Sequence, residues 1–339
     1  DISGTLELPG FPLYPYRFLA PRAVILSPSS RLTETRLRFA YQVERNAVRV
    51  WGAGRLDGLT VSSNRIADEP LRNLALSFDL GRSIDQAITM DLGAHVLDTG
   101  EHAGFRLGSG PKLRTRVRLE CADPEYPKFL FGLGMDITPF QQVLDSIPSP
   151  LIQRLGGMQV QGYIGVETQI AGDSGNLGDM TFDFRFRERD VSVDTYGPDV
   201  NMQKLLGPFT FRIRGGGKER RTIRVGEGPL WTPISDIPPW VVLAVTTTED
   251  GSFFRHEGFN RFQWKMSIID NLEAGRYVRG ASTISMQLVK NLFLGHQKTA
   301  ARKFQELFIT WLMEKELPKE RIIELYLNLI EWGDGIYGI

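Results

Sequence analysis

Phe182-Asp183-Phe184-Arg185-Phe186 sets a bulky aromatic residue at every second position with a charge between each pair. A period of two sends alternate side chains to opposite faces of a strand, so the stretch reads as a half-buried strand. Upstream, the same alternation recurs in Leu37, Phe39, Tyr41 and Val43, and again in Leu113, Thr115, Val117 and Leu119. Turn signals such as Leu56-Asp57-Gly58 and Ala171-Gly172-Asp173-Ser174-Gly175 divide these runs. Together they predict an antiparallel sheet with long hairpins over residues 32–225, with one helical interruption near 138–155. Downstream, after Gly215-Gly216-Gly217 and the proline-bearing stretch Pro229 to Pro239, the period becomes helical. The expected fold class is therefore α+β, with a β-rich accessory domain over 1–228 and a helical domain over 229–339.

In the helical part, Ser282 or Thr283 is placed to cap a helix carrying Ile284, Leu288, Val289 and Leu292. A second helix over 300–316 is expected to bury Phe304, Leu307, Phe308, Trp311 and Leu312, leaving Arg302 and Glu306 together on the other face. Pro318 opens a third helix that runs through Asn328.

Composition narrows the function classes. Forty basic residues balance forty acidic ones in 339, and 42% are hydrophobic, which fits a folded chain of about two domains and gives no nucleic-acid-binding signature. Cys121 is the single cysteine, so neither an internal disulfide nor a cysteine metal cluster can form. His95, His102, His256 and His296 lack metal-ligand spacing, and no zinc is expected. No run reaches the roughly 18 apolar residues of a membrane span. The first residue is Asp1 and the last residues fall within a structured motif, which reads as a piece of a longer protein.

Four blocks stand in order: Glu249-Asp250-Gly251-Ser252-Phe253-Phe254-Arg255-His256-Glu257-Gly258; Arg279-Gly280-Ala281-Ser282-Thr283-Ile284-Ser285-Met286-Gln287-Leu288-Val289-Lys290-Asn291; Arg302-Lys303-Phe304-Gln305-Glu306; and Ile322-Ile323-Glu324-Leu325-Tyr326-Leu327-Asn328. A glycine-rich element, Gly333 to Gly338, follows. In this order and spacing the chain from Trp231 to Ile339 resembles glycosyltransferase family 51, the peptidoglycan glycosyltransferases, most of all the monofunctional biosynthetic transglycosylases. The family pattern runs EDxxFxxHxG, GGSTITQQLxKN, RKxxE, ILExYLN and GxGxYG. Three departures appear: Ala281 for a glycine, Ser285 for a threonine, and Met286 for the first of two glutamines, which is expected to remove a hydrogen-bonding group from the substrate cleft.

The resemblance implies an α-helical, lysozyme-like transferase domain, incomplete at its C-terminus. It implies polymerisation of lipid II with inversion, using a lipid-linked glycan chain as donor and releasing undecaprenyl pyrophosphate. Such chemistry needs a base for the acceptor hydroxyl and positive charge for the pyrophosphate. The base is assigned to Glu249, which Val241 to Val245 are expected to flank with apolar surface; the alternative is a carboxylate at a helix N-terminus. Thr283, Gln287, Lys290 and Asn291 fall three or four apart and present one polar face, either to substrate or simply to solvent. With Ser282, Lys298, Arg302 and Lys303 they form the expected substrate-binding set, Lys290 on the pyrophosphate. Glu306 either assists catalysis or orients Arg302 as an ion pair. Asp250, Phe253, His256 and Gly258 are expected to shape the first loop. No protein-held metal is expected, although a divalent cation, Mg or Mn, would suit a pyrophosphate leaving group.

Phe259, Phe262, Trp264, Met266, Ile268 and Ile269 interleave with Arg261 and Lys265, as in a helix lying in a membrane interface or packing an ordinary core. The resemblance favours the membrane, and with it the periplasmic face of a bacterial inner membrane. Segments 47–80 and 158–192 share a plan of strand, glycine turn, polar loop and strand, and this region resembles, in plan only, the β-sheet modules of AsmA-like envelope proteins. Other envelope or cell-wall proteins are the partners expected there. The competing function class is a non-catalytic lipid- or protein-binding scaffold with a degenerate transferase domain; a lysozyme-like hydrolase is a third.

Overall fold

The computed structural model describes residues 2–123, 125–212, 222–295, 297–333 and 336–339. The Gly215-Gly216-Gly217 stretch and His296 lie outside these residues, as do two positions of the glycine-rich element. The chain divides into two compact units. One comprises Asp1–Pro150, Gln159–Asp194 and Ile268–Val278, the other Leu151–Met158, Thr195–Ser267 and Arg279–Ile339. The second unit thus begins upstream of the composition change near residue 230.

The first unit is one antiparallel sheet of eleven strands. These are β1 (Ile2–Pro12), β2 (Val24–Gln42), β3 (Ala47–Val61), β4 (Leu71–Asp79), β5 (Ile88–Asp91), β6 (Val96–Asp98), β7 (Gly104–Leu107), β8 (Leu113–Glu120), β9 (Lys128–Pro139), β10 (Gln159–Asp173) and β11 (Asn176–Thr195). The order is β1-β2-β3-β4-β7-β8-β9-β10-β11, with β5 and β6 bridging β3 to β8. Helix α1 (Phe140–Ser146) and two short 3-10 turns fill the expected interruption. Alternation is the cause of this architecture, because period-two apolar residues on consecutive segments are buried only when strands pair side by side.

Two details differ from the sequence reading. Leu56-Asp57-Gly58 is not a turn but lies inside β3, where Gly58 at φ +70° accommodates a bulge opposite the Ser27–Ser30 excursion of β2. The Ser30 hydroxyl donates to the Gly58 carbonyl at 2.7 Å, and Asp57 accepts from Thr33 Oγ1 at 2.6 Å and Arg55 Nε at 2.7 Å. These bonds, the Thr33 hydroxyl's first, hold the Asp57 carboxyl below its ordinary range. Val43 leaves the strand pattern for a tight turn ending at Asn46, which adopts φ +48°.

The second unit contains α2 (Gln203–Leu206), a hairpin of β12 (Phe209–Arg212) and β13 (Thr222–Val225), and helices α3 (Pro239–Glu249), α4 (Arg261–Glu273, whose last turns cluster with the first unit), α5 (Ile284–Phe293), α6 (Ala300–Glu316) and α7 (Lys319–Leu329), closed by β14 (Glu331–Gly333) and β15 (Ile336–Tyr337). The overall class is α+β, a β-rich region followed by a helical one. Helix α7 is the anchor of this unit: Ile322, Ile323, Leu325, Tyr326, Leu327 and Leu329 are all buried. Its polar residues tie in the approach to α3. Asn328 Oδ1 accepts from the Thr232 N–H at 2.8 Å while its Nδ2 donates to the Thr232 carbonyl at 2.9 Å, and Glu324 accepts from the Ile234 N–H at 3.0 Å. Asn328→Ala strands both Thr232 backbone groups, so chemical denaturation should show a loss of about 1–3 kcal/mol.

Helix α6 presents a different face from the one its apolar residues suggest. Ala301, Gln305, Glu306, Ile309, Leu312 and Met313 are buried, whereas Phe304 is exposed and Phe308 and Trp311 only half-buried. Glu306 can be buried because two cations reach it, as described below, and the aromatic stripe turns outward.

Candidate active site

The two central motifs meet at the end of α3 and the start of α5. Thr283 caps α5: its Oγ1 accepts from the Met286 N–H at 3.3 Å, and its hydroxyl donates to the Gly258 carbonyl at 2.7 Å. Asp250, buried, accepts from the Ile284 N–H at 3.3 Å, which sets a carboxylate against the positive end of the same helix. His256 Nε2 lies 2.9 and 3.0 Å from the two Asp250 oxygens. Phe253 is buried below the loop, with Lys319 Nζ 4.3 Å from its ring centre. Asp250, Phe253, His256 and Gly258 thus form a rigid clamp around the α5 N-terminus. Gly258 has to be glycine, because at φ +85° a Cβ would sit 2.9 Å from Glu314 Cγ and 3.0 Å from Thr310 Cγ2.

Glu249 is the last residue of α3 and is exposed. Neither expectation for its surroundings holds: the Val241–Val245 flank does not enclose it, and it stands at a helix C-terminus rather than an N-terminus. A carboxylate there opposes the helix dipole, so it is no stabilising cap. It is held by α5 instead, where Gln287 Nε2 donates to Glu249 Oε2 at 2.9 Å. Because a carboxylate accepts, the Gln287 amide must turn its NH₂ group toward it, and its Oε1 then accepts from the Tyr326 hydroxyl at 3.0 Å. Burial, with Glu249 and Asp250 nearby, pushes the Tyr326 phenol well above its ordinary range, so it stays a donor. A buried α7 tyrosine therefore orients the glutamine that aims Glu249.

Lys290 and Asn291 follow Gln287 at helical spacing on the same half-buried side of α5, and Asn291 Nδ2 donates to the Gln287 carbonyl at 2.8 Å. Lys290 forms no ion pair among the described residues, leaving its charge available. A second cluster lies on α6. Glu306, 2% exposed, accepts from Arg302 Nη1 at 2.5 Å and Lys303 Nζ at 2.6 Å, and Lys303 also reaches Ser282 Oγ at 3.2 Å. Arg302 Nε donates to the Gln297 carbonyl, while Thr299 caps the helix through the Arg302 N–H at 3.1 Å. Lys298 is exposed just ahead of that cap. The geometry gives Glu306 the ion-pair position, between Arg302 and Lys303.

Met286 is where the sequence reading misplaces a side chain. It is 1% exposed, packed in the core face of α5 with Ile284, Leu288, Val289 and Leu292, and does not line a cleft. Met286→Gln, which restores the family's residue, should cost about 1–3 kcal/mol in thermal unfolding by burying an amide, and should leave donor KM unchanged. A drop in KM instead would place the side chain in the cleft.

Sequence reasoning did not single out Glu314 and Lys319. The Glu314 carboxylate accepts from the Ser285 hydroxyl and pairs with Lys319 Nζ at 2.8 Å, both largely buried. They flank Pro318 across a helix break, a spacing with no motif signal. Tyr326 and Glu324 lay in a quoted block, but their roles needed the third dimension.

Comparison with known proteins matches this region. Residues 217–339 match the family model described as Transglycosylase. The protein named biosynthetic peptidoglycan transglycosylase from Nitrosospira multiformis is 47% identical over 108 residues, which is 32% of this chain and 47% of that one. Its namesake from Laribacter hongkongensis is 45% identical over 108 residues, again 32% and 47% of the two chains. The one from Rhodospirillum centenum is 44% identical over 129 residues, 36% and 54% respectively. The chain spans about half the length of these relatives. Residues 217–339, built around the Glu249–Gln287–Tyr326 relay and the Asp250 clamp, carry a transglycosylase domain of the peptidoglycan glycosyltransferase family.

Proposed function

We propose that this chain belongs to an enzyme that polymerises lipid II into β-1,4 glycan strands with inversion, releasing undecaprenyl pyrophosphate. The observation that carries this reading is the Gln287 bridge: an exposed carboxylate, otherwise badly placed at a helix end, is fixed by a side chain from the same helix face as Lys290, which has no ion pair among the described residues. In the reaction the acceptor 4-hydroxyl attacks C1 of the donor sugar as Glu249 takes its proton. The bond from C1 to the phosphate oxygen breaks, and the electron pair leaves with the pyrophosphate, toward Lys290. Arg302 and Lys303, part-neutralised by Glu306, supply further positive field.

A cage of protein carboxylates for Mg or Mn does not fit these residues. Glu306 and Glu314 are engaged by lysine and arginine, and no group of three potential ligands is found among the described residues. A divalent cation would be brought by the pyrophosphate itself.

The substrate's lipid calls for a membrane interface. Trp240, Leu243, Phe254 and Phe262 are exposed, and a groove of about 370 Å³ with mixed apolar and hydroxyl lining runs between α3 and the 251–255 loop. No helix among the described residues is long and apolar enough to cross a membrane. These residues are suited to rest at the headgroup level, on the periplasmic face of the inner membrane. Incubating the full-length protein with labelled lipid II tests the reading: glycan polymer is expected, and shortened glycans from mature wall would mean a hydrolase instead.

A further inference from the structure

The sheet of the first unit ends in two edge strands, β1 and β11, and they are built differently. An edge strand presents unpaired N–H and C=O groups at every second residue, a template on which another strand can add. In β1 the template is interrupted, because Pro9 and Pro12 have no N–H to donate. β11 runs for 20 residues, Asn176–Thr195, without a proline. Its outer edge pairs with no strand among the described residues. The regular stretch closes at Asp190, where a φ of +52° takes the backbone out of the extended range.

The side chains along this edge are self-complementary. Asp179, Asp183, Arg185, Arg187 and Arg189 share one face and are exposed, while Met180, Phe182, Phe184 and Phe186 share the other and are buried or half-buried. Two antiparallel copies related by a two-fold axis pair residue with residue about one central position, and any such centre keeps like faces together. With Phe184 at the centre, Asp183 faces Arg185 of the second copy, Asp179 faces Arg189, Phe182 faces Phe186, and no two like charges meet. A centre one residue away sets Asp183 or Arg185 against itself, and a centre at Phe186 sets Arg185 against Arg187, all unfavourable. A centre at Phe182 keeps only the pairing of Asp179 with Arg185. The groups are available: Asp183 and Arg185 touch at 2.7 Å within the strand yet their side chains stay 50% and 65% exposed, and Arg189 is held along the sheet over the Tyr163 ring, 4.5 Å from its centre. Pairing from Asp179 to Arg189 stops just short of the Asp190 turn in both copies.

We propose that β11 pairs antiparallel with β11 of a second copy of this chain, centred on Phe184, and so joins two sheets into one. This contact uses the same patch on both copies and closes at two, whereas β11 against β1 would meet Pro9 and Pro12 and would run on from copy to copy without closing. Pairing of this kind involves the first unit alone and does not depend on the transferase reading, since association rather than activity is measured. Sedimentation of the 339-residue chain over a range of concentrations should show a monomer–dimer equilibrium. Asp183→Arg places like charges opposite one another at two symmetric positions and should raise the dissociation constant about tenfold or more, and Arg185→Asp should do the same. Combining the two restores both ion pairs and should bring the dimer back.

Cross-linking reads the register directly. In a Cys121→Ser background, Phe184→Cys should link two copies through a disulfide on oxidation, because a residue on the two-fold axis faces itself within disulfide reach. Thr181→Cys, which faces Arg187, should not. A chain that stays monomeric at every concentration, a dimer indifferent to both charge reversals, or a folded double variant that remains monomeric would overturn the proposal. So would linkage through Thr181→Cys in place of Phe184→Cys, because the two strands would then meet in another register.

Discussion

Replacing Glu249 by Gln is expected to lower lipid II polymerisation by the full-length protein about 10²- to 10⁴-fold, the usual contribution of a positioned acid or base. Glutamine keeps the size and can still meet Gln287, but it cannot take the acceptor proton. Stability should hold or rise slightly, since removing a negative charge from a helix C-terminus relieves an unfavourable dipole interaction of about 0.3–1 kcal/mol. Activity and thermal melting measured on one preparation decide the matter. A stable, inactive variant supports the base; a variant with near wild-type turnover removes Glu249 from the chemistry. Gln287→Ala is the companion case: it frees Glu249 without deleting it, so a smaller loss of kcat is expected.

Lys290→Ala should cost about 2–4 kcal/mol of transition-state stabilisation, by analogy with other groups that stabilise a developing anion. Lys290 also sits in the last turn of α5, where a cation favours the helix by about 0.3–1 kcal/mol. The two roles separate by size and by readout. A helix-end cation alone predicts a small drop in melting temperature with turnover intact. A pyrophosphate ligand predicts a large fall in kcat that Lys290→Arg partly restores, because arginine returns charge with a different fork of donors. Wild-type turnover in the alanine variant would exclude the pyrophosphate role.

Much of the helical region was legible because its signals are local. Ser282 or Thr283 before Ile284 and Pro318 before Lys319 mark helix starts through short-range hydrogen bonding and fixed φ, which the chain settles with its neighbours, and the structure gives the first cap to Thr283. The α6 face was misread for the complementary reason. Apolar spacing favoured Phe304, Phe308 and Trp311, yet burial went to Glu306 once Arg302 and Lys303 closed on it, and an ion pair of that kind outweighs hydropathy only when its partners are in place. Leu56-Asp57-Gly58 likewise has a turn's composition, but β2 and β3 were already committed to pairing on both sides, and glycine's freedom went into a bulge.

By itself the sequence determined the period of each segment, the helix caps and the order of the motif blocks, all of them set within a few residues by sterics and short-range hydrogen bonds. Only the tertiary structure decided that Tyr326 orients Gln287 toward Glu249, that Glu314 answers Ser285 and Lys319, that Met286 is core, and that β11 stands at an edge of the sheet. Each of these joins residues distant in the chain or depends on what else covers a surface. Burial and partnership are properties of the packed whole, whereas a residue's type and spacing fix only what it is able to do once it gets there.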